Sequence, residues 1–364
     1  MTGRQSVSLV HDYLTQRGGA ERVALALTRA FPGAPLHTSL FAPESTFPEF
    51  DAVDVRTMPL DAVRPLRGHH RLALPLLAPS FSRLRVEADV VICSSSGWAH
   101  GARVEGRKIV YCHTPARWLY QQERYLRNRG RAVRIAARAS RRPLVRWDQR
   151  AAASADLYLA NSTVVAERIA SVYGRTAEVL PPPAAITPLG EMLPLDGIEP
   201  GFVLCVSRLL PYKNVDAVVR AFALLPTERL VVVGTGPDGP GLESIAGTNV
   251  TFAGGVEDSA LRWLYANCSA LVAASHEDFG LTPLEAATFG KPTAALRWGG
   301  FRDTVVERKN GTYFEAPTPV AVAEAVRRLL RTQWEPNAIR ALAERFSEAR
   351  FIDRIRSIAV ASTE

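Results

Sequence analysis

Cysteine is scarce in this chain, and the few present fit no metal or redox pattern. The sequence contains four cysteines, and no two of them stand at the C-x-x-C spacing of a zinc or thiol-redox site. Each lies in or beside an apolar run that predicts a buried strand. We therefore expect small core residues, rather than disulfides or metal ligands, at Cys93, Cys112, Cys205 and Cys268.

Long apolar runs are also missing. The longest, residues 72–78, is interrupted by Pro75 and falls well short of the roughly 20 residues that a membrane-spanning helix needs. Residues 1–6 are polar and do not resemble the apolar part of a signal peptide. No internal repeat and no low-complexity tail is visible. We therefore expect a cytoplasmic protein built from ordinary globular domains.

What remains is a globular composition with a basic balance. Hydrophobic residues make up 47% of the chain and charged residues 22%. A length of 364 residues is enough for two domains, each with a substantial core. The net charge of +8 favours anionic partners, such as nucleotide phosphates, lipid headgroups or nucleic acid, without choosing among them.

Short apolar runs alternate with helical or irregular stretches, which predicts an α/β fold with parallel sheets. In the first half, strands are predicted over residues 7–11, 36–40, 53–57, 89–93, 108–112, 157–160 and 178–180. In the second half, they are predicted over residues 202–206, 230–234, 250–253, 270–273 and 292–296. The sequence therefore predicts one sheet in each half of the chain.

The two predicted sheets define two predicted domains. Residues 181–200 are rich in proline and lack periodicity, so they are interpreted as a linker between domains at 1–180 and 201–339. A helix is predicted over residues 338–358, within a C-terminal segment of about 340–364.

Two glutamates mark the stretch from 274 to 285, A-S-H-E-D-F-G-L-T-P-L-E. It follows the predicted strand at 270–273, and the carboxyl ends of strands are where open α/β sheets bind ligands. Glu277 falls at that edge, and Glu285 falls near the start of the next helix. Carboxylates in these places suit the hydroxyls of a sugar and a ribose.

The turn between the two glutamates adds backbone donors. We expect an exposed turn over Phe279, Gly280 and Leu281, whose amides can meet an anion at the helix start. The alternative is a helix N-terminus that carries acidic residues because they favour its dipole, with no ligand.

Other candidate groups lie at the ends of other predicted strands. Arg208 and Lys213 flank the loop after residues 202–206, where two cations can neutralise a diphosphate. Gly18 and Gly19 stand between the first strand and the first helix, a geometry that can accept a phosphate or simply make a tight turn. His113 closes the strand at 108–112, before a proline that ends it.

Together these residues resemble the E-x7-E signature of the retaining, family-4-type glycosyltransferases, which have a GT-B fold. That resemblance implies two Rossmann-like domains whose parallel sheets face an interdomain cleft, with the acceptor on the first domain and a C-terminal helix that crosses back onto it. It implies that Arg208 and Lys213 clamp the diphosphate, Val256 borders the nucleotide base, Glu277 orients the sugar and Glu285 holds the ribose.

In the same family the glycine loop closes over the donor phosphate, which Gly18 and Gly19 fit. The His-Thr-Pro run that begins at His113, followed by Arg117 and Trp118, resembles mannosyltransferases of bacterial polysaccharide assembly. There the histidine lies beside the donor sugar, so the resemblance implies the same role for His113.

The activity that this resemblance implies is transfer of a hexose from a nucleotide diphospho-sugar, with GDP-mannose favoured and a UDP-sugar as the rival. The expected acceptor is lipid-linked or a polysaccharide, reached at the inner membrane face. No Asp-x-Asp metal motif is present, and Arg208 with Lys213 can replace a metal as counter-charge, so no metal or other cofactor is expected.

The segment at residues 124–150 is strongly basic, with ten arginines against the single acid Asp148. Its arginines recur at helical spacing on one face, which fits either an anionic membrane contact or a solvated face of a packed helix. Pro143 must start, kink or end a helix here. RNA binding is the least favoured reading, because no known RNA module accompanies the segment.

Two other functional classes compete with transfer. A sugar-nucleotide epimerase or a phosphorylase also uses two Rossmann-like domains with phosphate clamps. A non-catalytic nucleotide-sugar or RNA-binding protein is a further alternative, although Arg208, Lys213, Glu277 and Glu285 are all intact.

Overall fold

The computed structural model describes residues 5–68, 70–121 and 131–361, without the side chains of 70, 71 and 131–139. It divides into a first unit, Met1–Pro183 with Glu348–Glu364, and a second unit, Ala184–Ser347. Ile186, in the segment interpreted as a linker, is buried in the core of the second unit. Within the described residues, no helix combines the length and apolar character that crossing a membrane requires.

The first unit is built on a sheet whose seven described strands are all parallel. Their order across the sheet is β3-β2-β1-β5-β7-β8-β9, so the order reverses between β1 and β5. A short parallel pair, β4 with β6, lies apart from this sheet. The nine strands are β1 (Val7–His11), β2 (Leu36–Thr38), β3 (Val55–Thr57), β4 (Arg85–Val86), β5 (Val90–Ser95), β6 (Arg103–Val104), β7 (Arg107–Cys112), β8 (Leu157–Ala160) and β9 (Glu178–Val179).

Helices flank this sheet and bury an apolar side against it. The described ones are α1 (Gly19–Ala30), α2 (Arg64–Gly68), α3 (Leu74–Arg83), α4 (Arg117–Tyr120), α5 (Arg131–Ala153) and α6 (Thr163–Tyr173). Ser162 caps α6 by accepting from the amide of Val165, and Gly174 ends it at a φ of 63°, as expected from the sequence. Pro143 lies inside α5, which continues through it as one helix.

The second unit has a sheet of six described parallel strands in the order β12-β11-β10-β13-β14-β15. This is the order of a dinucleotide-binding α/β sheet, with its reversal between β10 and β13. The strands are β10 (Val203–Val206), β11 (Leu230–Val233), β12 (Val250–Gly254), β13 (Ala270–Ala273), β14 (Thr293–Leu296) and β15 (Gly311–Phe314). The prediction of two parallel-sheet domains is confirmed, and β15 at the sheet edge was missed.

The helices of the second unit connect these strands. They are α7 (Val215–Phe222), α8 (Gly239–Ser244), α9 (Asp258–Asn267), α10 (Leu281–Thr288), α11 (Phe301–Thr304), α12 (Pro319–Arg331) and α13 (Pro336–Ala343). All four cysteines of the chain are buried and free, and burial raises the pKa of Cys93 to about 11 and of Cys205 and Cys268 to about 12. The expectation of small core residues is confirmed.

The prediction of one helix over residues 338–358 is wrong. Helix α13 ends at Ala343, a 3₁₀ turn follows, and Ser347 adopts an extended backbone before the last helix, α14 (Glu348–Val360). The reason is that the apolar residues serve two cores. Ile339 on α13 packs in the second unit, whereas Phe351 on α14 packs in the first.

Candidate active site

The reversal of strand order in the second sheet brings three of the predicted residues to one edge. Arg208 and Lys213 follow β10, and Glu277 follows β13, which is its hydrogen-bonded neighbour. Because both strands are parallel, their carboxyl ends meet at the same edge, where a crevice opens in sheets of this order.

Lys213 and Glu277 are in direct contact. The ammonium Nζ of Lys213 forms an ion pair with Oε1 of Glu277, while the Ser275 hydroxyl lies 3.5 Å from the same oxygen. The Lys213 side chain is 8% exposed and that of Glu277 27%. The ammonium also lies 5.0 Å from the ring centre of Tyr212. A buried cation is therefore held beside a half-buried carboxylate at the edge of the sheet.

Asn214 ties the two loops of this edge together, a role that the sequence did not reveal. Its amide nitrogen donates to the carbonyl of Ala274 at 2.8 Å and lies 3.2 Å from Nδ1 of His276. Its φ of 52° is a left-handed conformation that asparagine tolerates better than most residues. This turn places Lys213 beside the loop that carries Glu277.

Arg208 is exposed, and its guanidinium makes a 3.4 Å contact with the hydroxyl of Tyr212. Its loop packs tightly against the turn after β11. A Cβ at Gly234 would lie 2.0 Å from the carbonyl oxygen of Ser207, and one at Gly236 would lie 2.2 Å from that of Leu209. These glycines therefore permit close backbone packing behind Arg208.

Two further glycines support the backbone of Glu277. The amide of Gly300 donates to the Glu277 carbonyl at 3.1 Å. A Cβ at Gly299 would lie 2.1 Å from that carbonyl oxygen, and one at Gly300 would lie 2.2 Å from Cα of Phe279. The loop after β14 therefore fits against the Glu277 turn only because both positions lack a side chain.

The expectation of an exposed turn at Phe279 is wrong. Phe279 is 5% exposed and packs with Leu284 and Ile339, because the turn folds back onto α10 and α13. Gly280 has a φ of 85° and abuts the ring of Phe301, and Leu281 begins α10 half-buried.

Glu285 is buried on α10 and accepts a hydrogen bond of 2.7 Å from the hydroxyl of Tyr265 on α9. Val256 follows β12 and is half-buried against the core that includes Tyr265. The structure thus joins Glu277 to Lys213, and Glu285 to a tyrosine that was not predicted. Only the packing of α9 on α10 reveals this second pair.

In the first unit, His113 belongs to a chain of three side chains. Its Nε2 lies 2.8 Å from the Ser94 hydroxyl, which lies 3.0 Å from Nδ1 of His11. The three residues stand at the carboxyl ends of adjacent strands, β7, β5 and β1, and all are buried. Burial lowers the pKa of His11 to about 4, so this ring is neutral at physiological pH. His113 therefore has neighbours that no local motif predicts.

Asp12 fixes the loop after β5 next to these histidines. Its carboxylate accepts from the amides of Ser96 at 2.7 Å, Trp98 at 3.3 Å and Ala99 at 2.6 Å. Burial raises the pKa of Asp12 to about 6, an effect that these amides oppose. The carboxylate thereby joins the ends of β1 and β5, where the strand order of the first sheet reverses.

Gly18 and Gly19 occupy the predicted place before and at the start of α1, but an acid shares it. Glu21 in the first turn is buried, and Gln16 donates to its Oε1 at 3.1 Å. A Cβ at Gly18 would lie 2.5 Å from Oε2 of Glu21. A carboxylate here favours the helix dipole and would repel a phosphate, so the phosphate role of this loop stays a prediction.

The basic segment at residues 124–150 is described only in part. Residues 122–130 and the side chains of 131–139 lie outside the description, and Arg134 and Arg138 fall there. Farther along α5, the arginines turn outward and are exposed at positions Arg141, Arg142, Arg146 and Arg150.

The inner side of α5 is held by its one acid. Asp148 accepts a hydrogen bond of 2.6 Å from the hydroxyl of Tyr120, and its other oxygen lies 3.0 Å from Nε2 of His100. Both partners belong to the first unit, so this end of the helix is packed against the sheet.

Comparison with known families places the chain. A family model described as "Glycosyltransferase Family 4" matches residues 17–185, and one described as "Glycosyl transferases group 1" matches residues 197–349. The two models follow each other along the chain, one on each half. The chain belongs to the family-4-type glycosyltransferases.

Curated members of this glycosyltransferase family match over part of their length. A D-inositol 3-phosphate glycosyltransferase of Mycobacterium leprae is 35% identical over 158 residues, which are 40% of this chain and 36% of that protein. A GDP-mannose-dependent α-(1-6)-phosphatidylinositol monomannoside mannosyltransferase of Mycobacterium tuberculosis is 32% identical over 201 residues, 46% and 51% of the two chains. The chain thus spans about a third of the first relative and about half of the second.

Solved structures show that this glycosyltransferase has a GT-B fold. The Anabaena HepE protein in complex with UDP-glucose superposes with a TM-score of 0.71 at 18% identity, covering 98% of this chain and 99% of that one. WaaG, a glycosyltransferase of lipopolysaccharide biosynthesis, gives a TM-score of 0.63 at 18% identity, with coverage of 98% and 100%.

Proposed function

We propose that this chain is a retaining glycosyltransferase that moves a hexose, with mannose favoured, from a nucleotide diphospho-sugar to a lipid-linked or polysaccharide acceptor. The observation that carries the proposal is the pair of Lys213 with Glu277 at the reversal of strand order in the second sheet. A cation and a carboxylate side by side match the two ends of a sugar diphosphate, one anionic and one rich in hydroxyls.

The proposed chemistry places charge where charge develops. As the bond between the sugar and the diphosphate breaks, negative charge grows on the leaving phosphate oxygen, and Lys213 with Arg208 neutralises it. The acceptor hydroxyl attacks from the same face and transfers its proton to that oxygen, which retains the configuration at the anomeric carbon. Glu277 orients the sugar through its hydroxyls. We propose that the two cations act without a metal ion.

The donor base is chosen on two supporting observations. The His-Thr-Pro run at His113 resembles mannosyltransferases, and the relative from Mycobacterium tuberculosis is named as GDP-mannose-dependent. These favour GDP-mannose. A UDP-sugar is the second candidate, because the HepE structure of similar fold was solved with UDP-glucose.

The proposed acceptor side is an anionic, lipid-containing surface at the inner membrane face. The exposed arginines of α5 give the first unit a basic side, and each basic side chain near an anionic membrane adds roughly 1 kcal/mol. The relative that acts on a phosphatidylinositol mannoside points to the same class of acceptor. Co-sedimentation with vesicles of phosphatidylglycerol and phosphatidylcholine should decline with salt, whereas equal sedimentation with pure phosphatidylcholine vesicles would reject this part of the proposal.

A thermal-shift panel tests the function itself. The chain is heated with GDP-mannose, UDP-glucose and ADP-glucose, each with and without Mg²⁺. A donor present at a hundred times its Kd stabilises the fold by about 2.7 kcal/mol, which raises Tm by several degrees. We expect GDP-mannose to give the largest rise without Mg²⁺. A rise only with UDP-glucose would replace the donor, and no rise with any sugar nucleotide would reject the proposal.

A further inference from the structure

A buried phenol is the partner of Glu285 in the second unit. The hydroxyl of Tyr265 donates to Oε2 of Glu285 at 2.7 Å, and both side chains are buried. Tyr265 lies on α9 and Glu285 on α10, so the contact joins two helices. It does so through the second carboxylate of the E-x7-E spacing, and Tyr265 itself belongs to no sequence motif.

Tyr265 is held firmly in this place. Its ring stacks on Phe289, with centroids 5.5 Å apart and planes inclined by 19°. Leu264 and Cys268 belong to the same core cluster. Burial and the charge of Glu285 raise the pKa of Tyr265 well above its usual range, so the phenol keeps its proton and remains a donor.

A fixed donor changes what the carboxylate can do. A carboxylate withdrawn from water is costly unless it accepts hydrogen bonds, and a bond from a neutral hydroxyl to a charged oxygen is among the stronger kinds. The phenol has one proton, so it engages one carboxylate oxygen and restricts rotation of the group. Glu285 is thereby held in one orientation before any ligand arrives, which lowers the ordering cost of binding.

We infer that Tyr265 is a positioning residue for nucleotide recognition, whose hydroxyl orients Glu285 to accept hydrogen bonds from the ribose hydroxyls of a nucleoside diphosphate. The inference rests on the proposed function, which supplies the nucleotide. Tyr265 acts through Glu285 and does not touch the ligand. Its loss should therefore weaken recognition of the ribose and leave the chemistry at the diphosphate intact.

The test compares nucleotides with and without ribose hydroxyls. Isothermal calorimetry measures the Kd of GDP, UDP and their 2′,3′-dideoxy counterparts for the wild-type chain, Tyr265→Phe and Tyr313→Phe. Tyr313 is the matched control because it is also a buried tyrosine of this unit. Its hydroxyl, however, donates to backbone carbonyls, those of Phe301 at 3.1 Å and Val305 at 2.5 Å.

The ratio of the two Kd values is the decisive quantity. For the nucleotide that the wild type binds, the dideoxy form should bind more weakly, and Tyr265→Phe should reduce that ratio by about tenfold. Tyr313→Phe should leave it unchanged. A merely structural role of Tyr265 would weaken both forms alike and preserve the ratio. In turnover assays the donor KM of Tyr265→Phe should rise while kcat stays within about twofold.

Each remaining outcome separates the inference from the function on which it rests. If the wild type discriminates against the dideoxy form and Tyr265→Phe does so equally, the inference is overturned and the proposed function stands. If Glu285→Gln also discriminates fully, the ribose is read by another residue and the inference is overturned. Binding of neither GDP nor UDP by the wild type would overturn the proposed function and the inference together.

Discussion

The ammonium of Lys213 pairs with Oε1 of Glu277 across the point where the strand order of the second sheet reverses. The pair joins a loop after β10 to a loop after β13, two strands that are 63 residues apart in the register pair of Leu204 with Leu271 minus their shared offset along the sheet's edge.

 

That last sentence is wrong as written and should be disregarded: the register partners Leu204 and Leu271 stand 271 − 204 = 67 positions apart, and Lys213 and Glu277 stand 64 apart. The point is that residues distant in the chain meet because parallel strands end at one edge of the sheet.

Removing the cation of this pair should stop turnover and spare the fold. In Lys213→Ala, the leaving phosphate loses a counter-charge, so kcat should fall by at least about a hundredfold. Glu277 is partly exposed, so the free energy of unfolding should change by only about 1 kcal/mol. Donor-dependent turnover and denaturant unfolding measure the two effects. Lys309→Ala, which removes an exposed lysine of the same unit, is the control and should be fully active. Wild-type activity of Lys213→Ala would reject the phosphate clamp.

Arg208 should matter for activity and not for stability. It is exposed, so Arg208→Ala should leave Tm unchanged to within the equivalent of about 0.5 kcal/mol. Its kcat should nevertheless fall by about a hundredfold, because the second counter-charge is lost. The matched control is Arg220→Ala, an exposed arginine on α7. Equal activity of the two variants would remove Arg208 from the site.

A methyl group at Gly300 should disturb the Glu277 turn from behind. The added Cβ would lie 2.2 Å from Cα of Phe279, so the backbone of one loop must shift. We expect Gly300→Ala to weaken donor binding by tenfold or more, in line with the roughly 1 to 3 kcal/mol that overpacking costs. Gly241→Ala is the control, since a Cβ there meets nothing within 4 Å. Unchanged donor affinity in Gly300→Ala would show that the turn tolerates the shift.

His11 should make the first unit sensitive to acid. Its pKa is lowered from 6.5 to about 4 by burial, so the unfolded chain binds more protons between these values and stability is lost as the pH falls from 6.5 to 4. The loss is about 3 kcal/mol. Asp12 acts in the opposite direction, because its raised pKa costs stability as the pH rises from 3.8 to about 6.

The contribution of His11 can be isolated by difference. The stability of His11→Asn relative to the wild type should increase as the pH falls from 6.5 to 4, because Asp12 is common to both chains. Protection of β1 and β5 amides against hydrogen exchange, corrected for intrinsic rates at each pH, measures this difference. A difference that does not vary with pH would contradict the assignment.

Ser94 should influence activity through His113. The Ser94 hydroxyl contacts both His113 and His11, and Ser94→Ala removes the two contacts at once. If His113 has the role that the family resemblance implies, kcat should fall by about tenfold, and its pH profile should shift. Ser8→Ala, which alters a buried serine on β1 with only a 3.4 Å contact to a carbonyl, should remain active. An unchanged rate and pH profile in Ser94→Ala would separate Ser94 from the reaction.

Much of this could be predicted from local patterns. The parallel sheets, the helix ended by Gly174 and the strand-end positions of Arg208 and Glu277 follow from periodicity and turn residues, which act over a few neighbours. The break at Ser347 was missed because both flanking helices are amphipathic, and periodicity does not say which core each one faces. Phe279 was misjudged for a related reason, since a turn residue is buried whenever the turn folds back on its own helix.

The sequence by itself determined the fold class, the family and the order of charged residues at the strand ends, because each depends on residues that are near one another along the chain. Only the tertiary structure decided which of those residues meet. Tyr265 beside Glu285, and Ser94 between two histidines, are contacts between separate elements. Such contacts depend on strand order and helix packing, and these arise from burial of the whole core rather than from any short motif.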